Sequence, residues 1–254
     1  MAKNSGRTPK PVKREDPMTG AMKFFLAGLV AELYLLIIRR FYVNGTARQM
    51  IAWYDYLFYF SIAGLVLLAA GIVLGVMWRK DKRKRSIGLY VAGAGAFWGL
   101  ASFLIWKLNA PALTFLSVLV PVVMVLGILW NLYDRECAYA LTILAVSLVA
   151  LWACRRELSN LYLGSSVKVF VVVYVVLLVL AVVAARKAGK NGGMLGSFRL
   201  LPADADLLPI YAACGLSAAA MLSALISITV AYYAIWVLAL LAFALAVYYT
   251  VKQL

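Results

Sequence analysis

Few residues in this chain are placed to do chemistry, and Glu32 comes first. It lies in "LVAELYLL", with six uncharged residues between it and Arg39. A carboxyl group that deep in an apolar run is costly unless it is protonated, paired or facing water, so it is a functional candidate by default. Two chemistries suit it: a proton or cation site, or the anchor of a polar cavity. Arg39 falls on nearly the same helical face but two turns away, about 10 Å along the axis. A structural glutamate, protonated or reached by a long arginine, is the plainer alternative.

Two further groups qualify. In "WNLYDRECAY", Asp134 and Glu136 straddle Arg135. Two acids in a turn can chelate a divalent cation, as lipid-phosphate enzymes require, but such sites need further ligands and substrate oxygens. A helix cap with an ion pair fits the same spacing better. The arginine pairs Arg39, Arg40 and Arg155, Arg156, with Arg48, Lys107 and Lys168, outnumber Asp55 and Glu157 on one side of the chain. This basic rim suits phosphate headgroups or an anionic solute, because a guanidinium grips phosphate bidentately.

Other chemistry is excluded by residue type. The chain has no histidine, which removes imidazole bases, Ser-His-Asp triads and the commonest transition-metal ligand. Cys137 and Cys154 are about 25 Å apart on one expected helix, and with Cys214 they read as buried reduced thiols. "GKNGG" lacks the pattern and strand context of a phosphate loop and reads as linker. No metal or cofactor is expected, and no nucleic-acid partner.

The elements that must position these residues are membrane spans. The 254 residues are 65% hydrophobic and 14% charged, against about a quarter charged in a soluble domain. At about 20 apolar residues per crossing, eight all-α spans are expected: Met22 to Phe41, Trp53 to Trp78, Ile87 to Trp106, Leu113 to Leu132, Cys137 to Cys154, Val167 to Ala185, Leu207 to Val230 and Tyr232 to Val251. The last two are separated by a tight hairpin at Thr229, with seven spans as the alternative. Residues 1–20 read as a disordered, basic cytoplasmic arm, residues 21–254 as a single transmembrane domain, and the first span as retained rather than a cleaved signal.

Only seven of the 25 Lys and Arg residues fall on the face bearing Arg39 and Arg156. The positive-inside rule puts the other face, with both termini, in the cytoplasm. The expected location is the plasma membrane of a bacterium. "RKDKRKR" at 79–85 is then a tight cytoplasmic turn, and Arg79, Lys80, Lys82, Arg83, Lys84 and Arg85 are expected to meet anionic lipid headgroups there. The longest loop, from Arg186 to Pro209, is cytoplasmic too; its "FRLL" is amphipathic enough to lie in the interface. Asp204 or Asp206 caps the next helix. Trp53, Tyr54, Tyr56, Trp78, Trp106, Tyr248 and Tyr249 mark an interfacial aromatic belt.

Small residues form seams at Gly88, Ala92, Gly95 and Gly99 in span three and at Ala213, Ser217, Ala220 and Ala224, continuing to Ser227, in span seven. Such seams permit close helix approach in lipid. With Gly71 and Gly75 in span two and matching basic pairs at span ends, they suggest a four-plus-four repeat. Pro121 should kink span four, with Ser117 one turn earlier able to satisfy the freed backbone.

Three function classes follow. A non-enzymatic accessory or scaffold subunit, working with a protein partner or a second copy, fits the packing seams and the scarcity of polar groups. A transporter or flippase for a small or anionic amphipathic substrate fits Glu32, the basic rim and Pro121. A membrane-embedded lipid-phosphate enzyme has only Asp134, Glu136 and the arginine pairs in its favour.

Overall fold

The computed structural model describes residues 17–79, 81–158, 164–195, 198–199, 202 and 206–253. It is a helical membrane bundle, with eight helices among the described residues long and apolar enough to cross a bilayer. In chain order these are α1 (Pro17–Ile38), continued by a π turn (Arg39–Val43), α2 (Ala47–Met77), α3 (Lys82–Leu108), α4 (Ala110–Leu132), α5 (Arg135–Leu158), α6 (Gly164–Lys190), α7 (Leu208–Ile226) and α8 (Ile228–Gln253). Most run beyond the apolar stretches that announce them. Of the residues expected in the arm over 1–20, 17–20 are helical and open α1 on Pro17, a residue suited to a helix's first turn. Residues 1–16 lie outside the described residues.

By contact density the chain divides into two compact units. The first comprises Ala27–Val123 and Trp152–Glu157. Its tightest element is the antiparallel pair α2–α3. A Cβ added at Gly64 would strike Gly99, one at Gly95 would strike Leu68, one at Gly71 would strike Ala92, and one at Gly88 would lie 2.6 Å from the Gly75 nitrogen. These four pairings are symmetric about the turn at 81–82, so one register places Gly64, Gly71, Gly88 and Gly95 against the opposite helix. Without a hydrophobic force between helices in lipid, that approach supplies the dispersion contact that joins them.

Helix α1 runs parallel to α3 and is pinned at two levels. Tyr34 Oη and Ser102 Oγ are 2.7 Å apart, and Tyr42 donates to Asn109 Oδ1 at 2.5 Å. The tyrosines are eight residues apart and their partners seven. A π turn takes one more residue than an α turn, so the segment Arg39–Val43 absorbs the difference. Between the rungs, Leu35, Ile38, Leu57, Ala101, Ile105, Leu113 and Leu116 form the buried core. Asn109 alone joins α3 to α4; its φ of 55° is left-handed, which asparagine tolerates, and its side chain takes the Tyr42 proton. Pro121 stands inside α4, but Ser117 Oγ is buried with no hydrogen-bond partner. The expectation that Ser117 satisfies the freed backbone is therefore corrected.

The second unit holds the described parts of Met1–Leu26, Met124–Leu151 and Leu158–Leu254. Phe24 lies on Gly127 and Gly20 on Asn131, so the start of α1 packs against the end of α4. Tyr133 Oη meets Thr250 Oγ1 at 2.5 Å, and Cys137 and Leu141 bury Tyr249. The α4–α5 turn thus receives both the beginning of α1 and the end of α8. Ser147 Oγ and Tyr174 Oη, 2.8 Å apart, join α5 to α6. Tyrosine rungs therefore link α1 to α3 in one unit and α5 to α6 in the other.

The linker reading of "GKNGG" gains a specific form: Gly193 N donates to Ala188 O at 2.8 Å while Gly192, at φ 62°, turns the chain off α6. The first two residues of "FRLL" are extended. Phe198–Arg199 (β2) pairs antiparallel with Met194–Leu195 (β1), Met194 opposite Arg199, and 200–201 lie outside the described residues. Asp206 Oδ1 accepts from Leu208 N at 3.0 Å and so takes one free amide at the start of α7; Asp204 is outside the described residues. The last two spans are separate, and their break is at Ser227 rather than Thr229. Ser227 is extended, its backbone oxygen accepts from Ala231 N, and its Oγ accepts from Thr229 N at 3.2 Å. A serine cap starts the new helix without a polar loop, and Ser227 thereby leaves the span-seven seam.

Candidate functional site

Glu32 sits two residues before the Tyr34 rung on α1. Its side chain is half-buried, and Oε2 is enclosed without a hydrogen-bond partner. Arg39 makes no salt bridge to it within 4.0 Å among the described residues. One turn of α3 from Ser102, Trp98 lies edge-on to Tyr34 with ring centroids 5.9 Å apart, and its Nε1 is likewise buried and unpartnered. The polar groups on this part of α1 thus divide sharply. Tyr34 and Tyr42 are engaged with α3, whereas Glu32 is held without a partner of its own.

The basic rim is exposed at Arg39, Arg40 and Arg156, with Arg155 half-buried. The Arg156 guanidinium lies 5.9 Å from the Trp152 ring centroid, one turn back on α5. In "RKDKRKR", Arg79 completes the turn and Lys82–Arg85 already form the first turn of α3. Asp81 sits 4.0 Å from Lys84 Nζ in an exposed pair and its carbonyl accepts from Arg85 N. That acid answers the unfavourable clustering of cations at a helix N-terminus. Arg79, Lys84 and Arg85 are exposed; Lys80 is outside the described residues, as are the side chains of Lys82 and Arg83.

Asp134 and Glu136 flank the start of α5, where the Asp134 carbonyl accepts from Ala138 N. Glu136 lies near the Asp206 backbone and Lys252, and among the described residues no cluster of three acid or cysteine ligands could hold a metal. The three cysteines are free and buried. On α7, Ala213, Ser217, Ala220 and Ala224 are buried, and α7 touches both α6 and α8. Hydroxyls elsewhere in the spans bond their own helix: Ser102 to Trp98 O, Thr142 to Ala138 O and Ser147 to Ile143 O.

The tyrosine rungs went unread in the sequence, because a tyrosine in an apolar run has the same hydropathy signature whether or not a serine faces it. The rings of the expected aromatic belt are more connected than a belt requires. Trp53 stacks on Phe41 at 5.4 Å, and Trp106 packs against Tyr54, Phe58 and Phe103. Comparison with protein-family models, curated proteins and solved structures finds no match to this chain.

Proposed function

We propose that this multi-pass membrane protein is a non-enzymatic accessory or scaffold subunit, with both termini in the cytoplasm. One observation carries the reading. Small and hydroxyl-bearing residues in several spans face other helices of the same chain, as in the glycine pairings of α2–α3 at Gly64, Gly71, Gly88 and Gly95 and the rungs Tyr34–Ser102 and Ser147–Tyr174. Residues placed that way stiffen a bundle and are not free to handle a solute. The excess of Lys and Arg on the terminal side supports the orientation. Chemical crosslinking in native membranes, followed by purification in mild detergent, tests it: a stoichiometric partner or second copy is expected, and a lone monomer in both conditions contradicts it.

Glu32 favours a second reading, transport of a small or anionic amphipathic substrate. Its enclosed, unpartnered oxygen is the arrangement that a proton or coupling cation would complete. Under that reading Glu32→Gln abolishes solute movement in vesicles without changing thermal stability. Under the scaffold reading only packing responds.

A further inference from the structure

A shallow groove of about 250 Å³ opens on the first unit, lined by Tyr54, Asp55, Phe58, Tyr59 and Trp106. The uncharged run 57–77 of α2 measures roughly 30 Å at 1.5 Å per residue, the thickness of a hydrocarbon core. Tyr54 and Asp55 therefore stand just beyond it, at headgroup level. Asp55 is exposed and makes no hydrogen bond or ion pair with any described residue. On α3, the Lys107 ammonium rests 4.6 Å from the Trp106 ring centroid. A free carboxylate and a cation thus flank one aromatic surface, a charge pattern complementary to a zwitterion.

We propose that this groove holds the headgroup of a phospholipid with a primary amine, its ammonium on Asp55 and the ring faces and its phosphate toward Lys107. The ring geometry selects the amine. Tyr54 and Phe58 pack on Trp106 with centroids 6.0 and 5.3 Å apart, so the rings form one wall rather than a box. A trimethylammonium group needs aromatic faces on several sides. A primary ammonium instead has three protons to donate, and a carboxylate with neighbouring phenol oxygens accepts them in charge-assisted bonds. Phe58, Ile62 and Phe103 continue as exposed apolar surface for the acyl chains. A phosphate lipid without an amine would bring only negative charge to Asp55. This inference is independent of the scaffold reading.

The test uses the full chain in vesicles of phosphatidylethanolamine, phosphatidylcholine and phosphatidylglycerol in equal amounts, with retained lipid counted by native mass spectrometry. One charge-assisted contact implies roughly a threefold to tenfold excess of the ethanolamine lipid over each of the others. Asp55→Asn is expected to reduce that excess to parity, and Asp55→Glu to keep it. Parity in the unaltered protein, which would leave Asp55 to a basic side chain of some partner, overturns the proposal. So does an excess of the choline lipid, or an unchanged ethanolamine excess in Asp55→Asn.

Discussion

Gly71 and Gly93 differ in what lies opposite them. A Cβ on Gly71 meets the Ala92 backbone, whereas one on Gly93 meets nothing within 4 Å. Gly71→Ala should push α2 from α3 and cost about 1 to 3 kcal/mol, as overpacking generally does. Gly93→Ala should be neutral or stabilising by roughly 0.5 to 1 kcal/mol, the usual gain for removing a helical glycine. Thermal unfolding in detergent separates them, and equal effects would break the link between seam and stability. Glu32 was legible from sequence because one charge in an apolar run stands out. The environment of Tyr34 was not, since it depends on a serine 68 positions away. Tyr34→Phe with Ser102→Ala should show a double-mutant coupling of about 0.6 kcal/mol and no more than about 1.7, the range found for such bonds in membranes.

The π turn after α1 exists to bring eight residues into the space of seven. Deleting Arg40 should let the turn relax to an α-helix while Tyr34 and Tyr42 stay on one face. Deleting Phe103 from α3 rotates Asn109 by about 100° relative to Ser102 and should lose a rung. Protein yield and melting temperature should fall for the second deletion far more than for the first; the reverse order would refute the register. At the other end of the chain, Ser227→Ala removes the α8 cap and should cost about 1 kcal/mol, read as a lower melting temperature. Hydropathy made the spans visible, and the glycine spacing pointed to the α3 seam. It could not locate the break at Ser227, where one residue ends one helix and caps the next. It was equally blind to the Asn109 corner, because a single left-handed residue leaves no polar stretch.

For the whole molecule, the eight helices follow from composition and run length alone, and eight crossings would return both termini to one side. The start of α1 and the end of α8 both meet the α4–α5 turn. Reporter fusions at the two ends should therefore report the same side, and the distribution of Lys and Arg predicts the cytoplasm. Function was less legible than fold, because packing groups and transport groups draw on the same serines, tyrosines and glycines. What separates them is whether water reaches Glu32. The deciding measurement is labelling by a water-soluble maleimide in oriented membranes, with a single cysteine at position 32 in a chain lacking Cys137, Cys154 and Cys214. A packed bundle predicts protection at 32 while a control cysteine beside Arg48 is labelled. Labelling at 32 would contradict it and identify an aqueous path to Glu32.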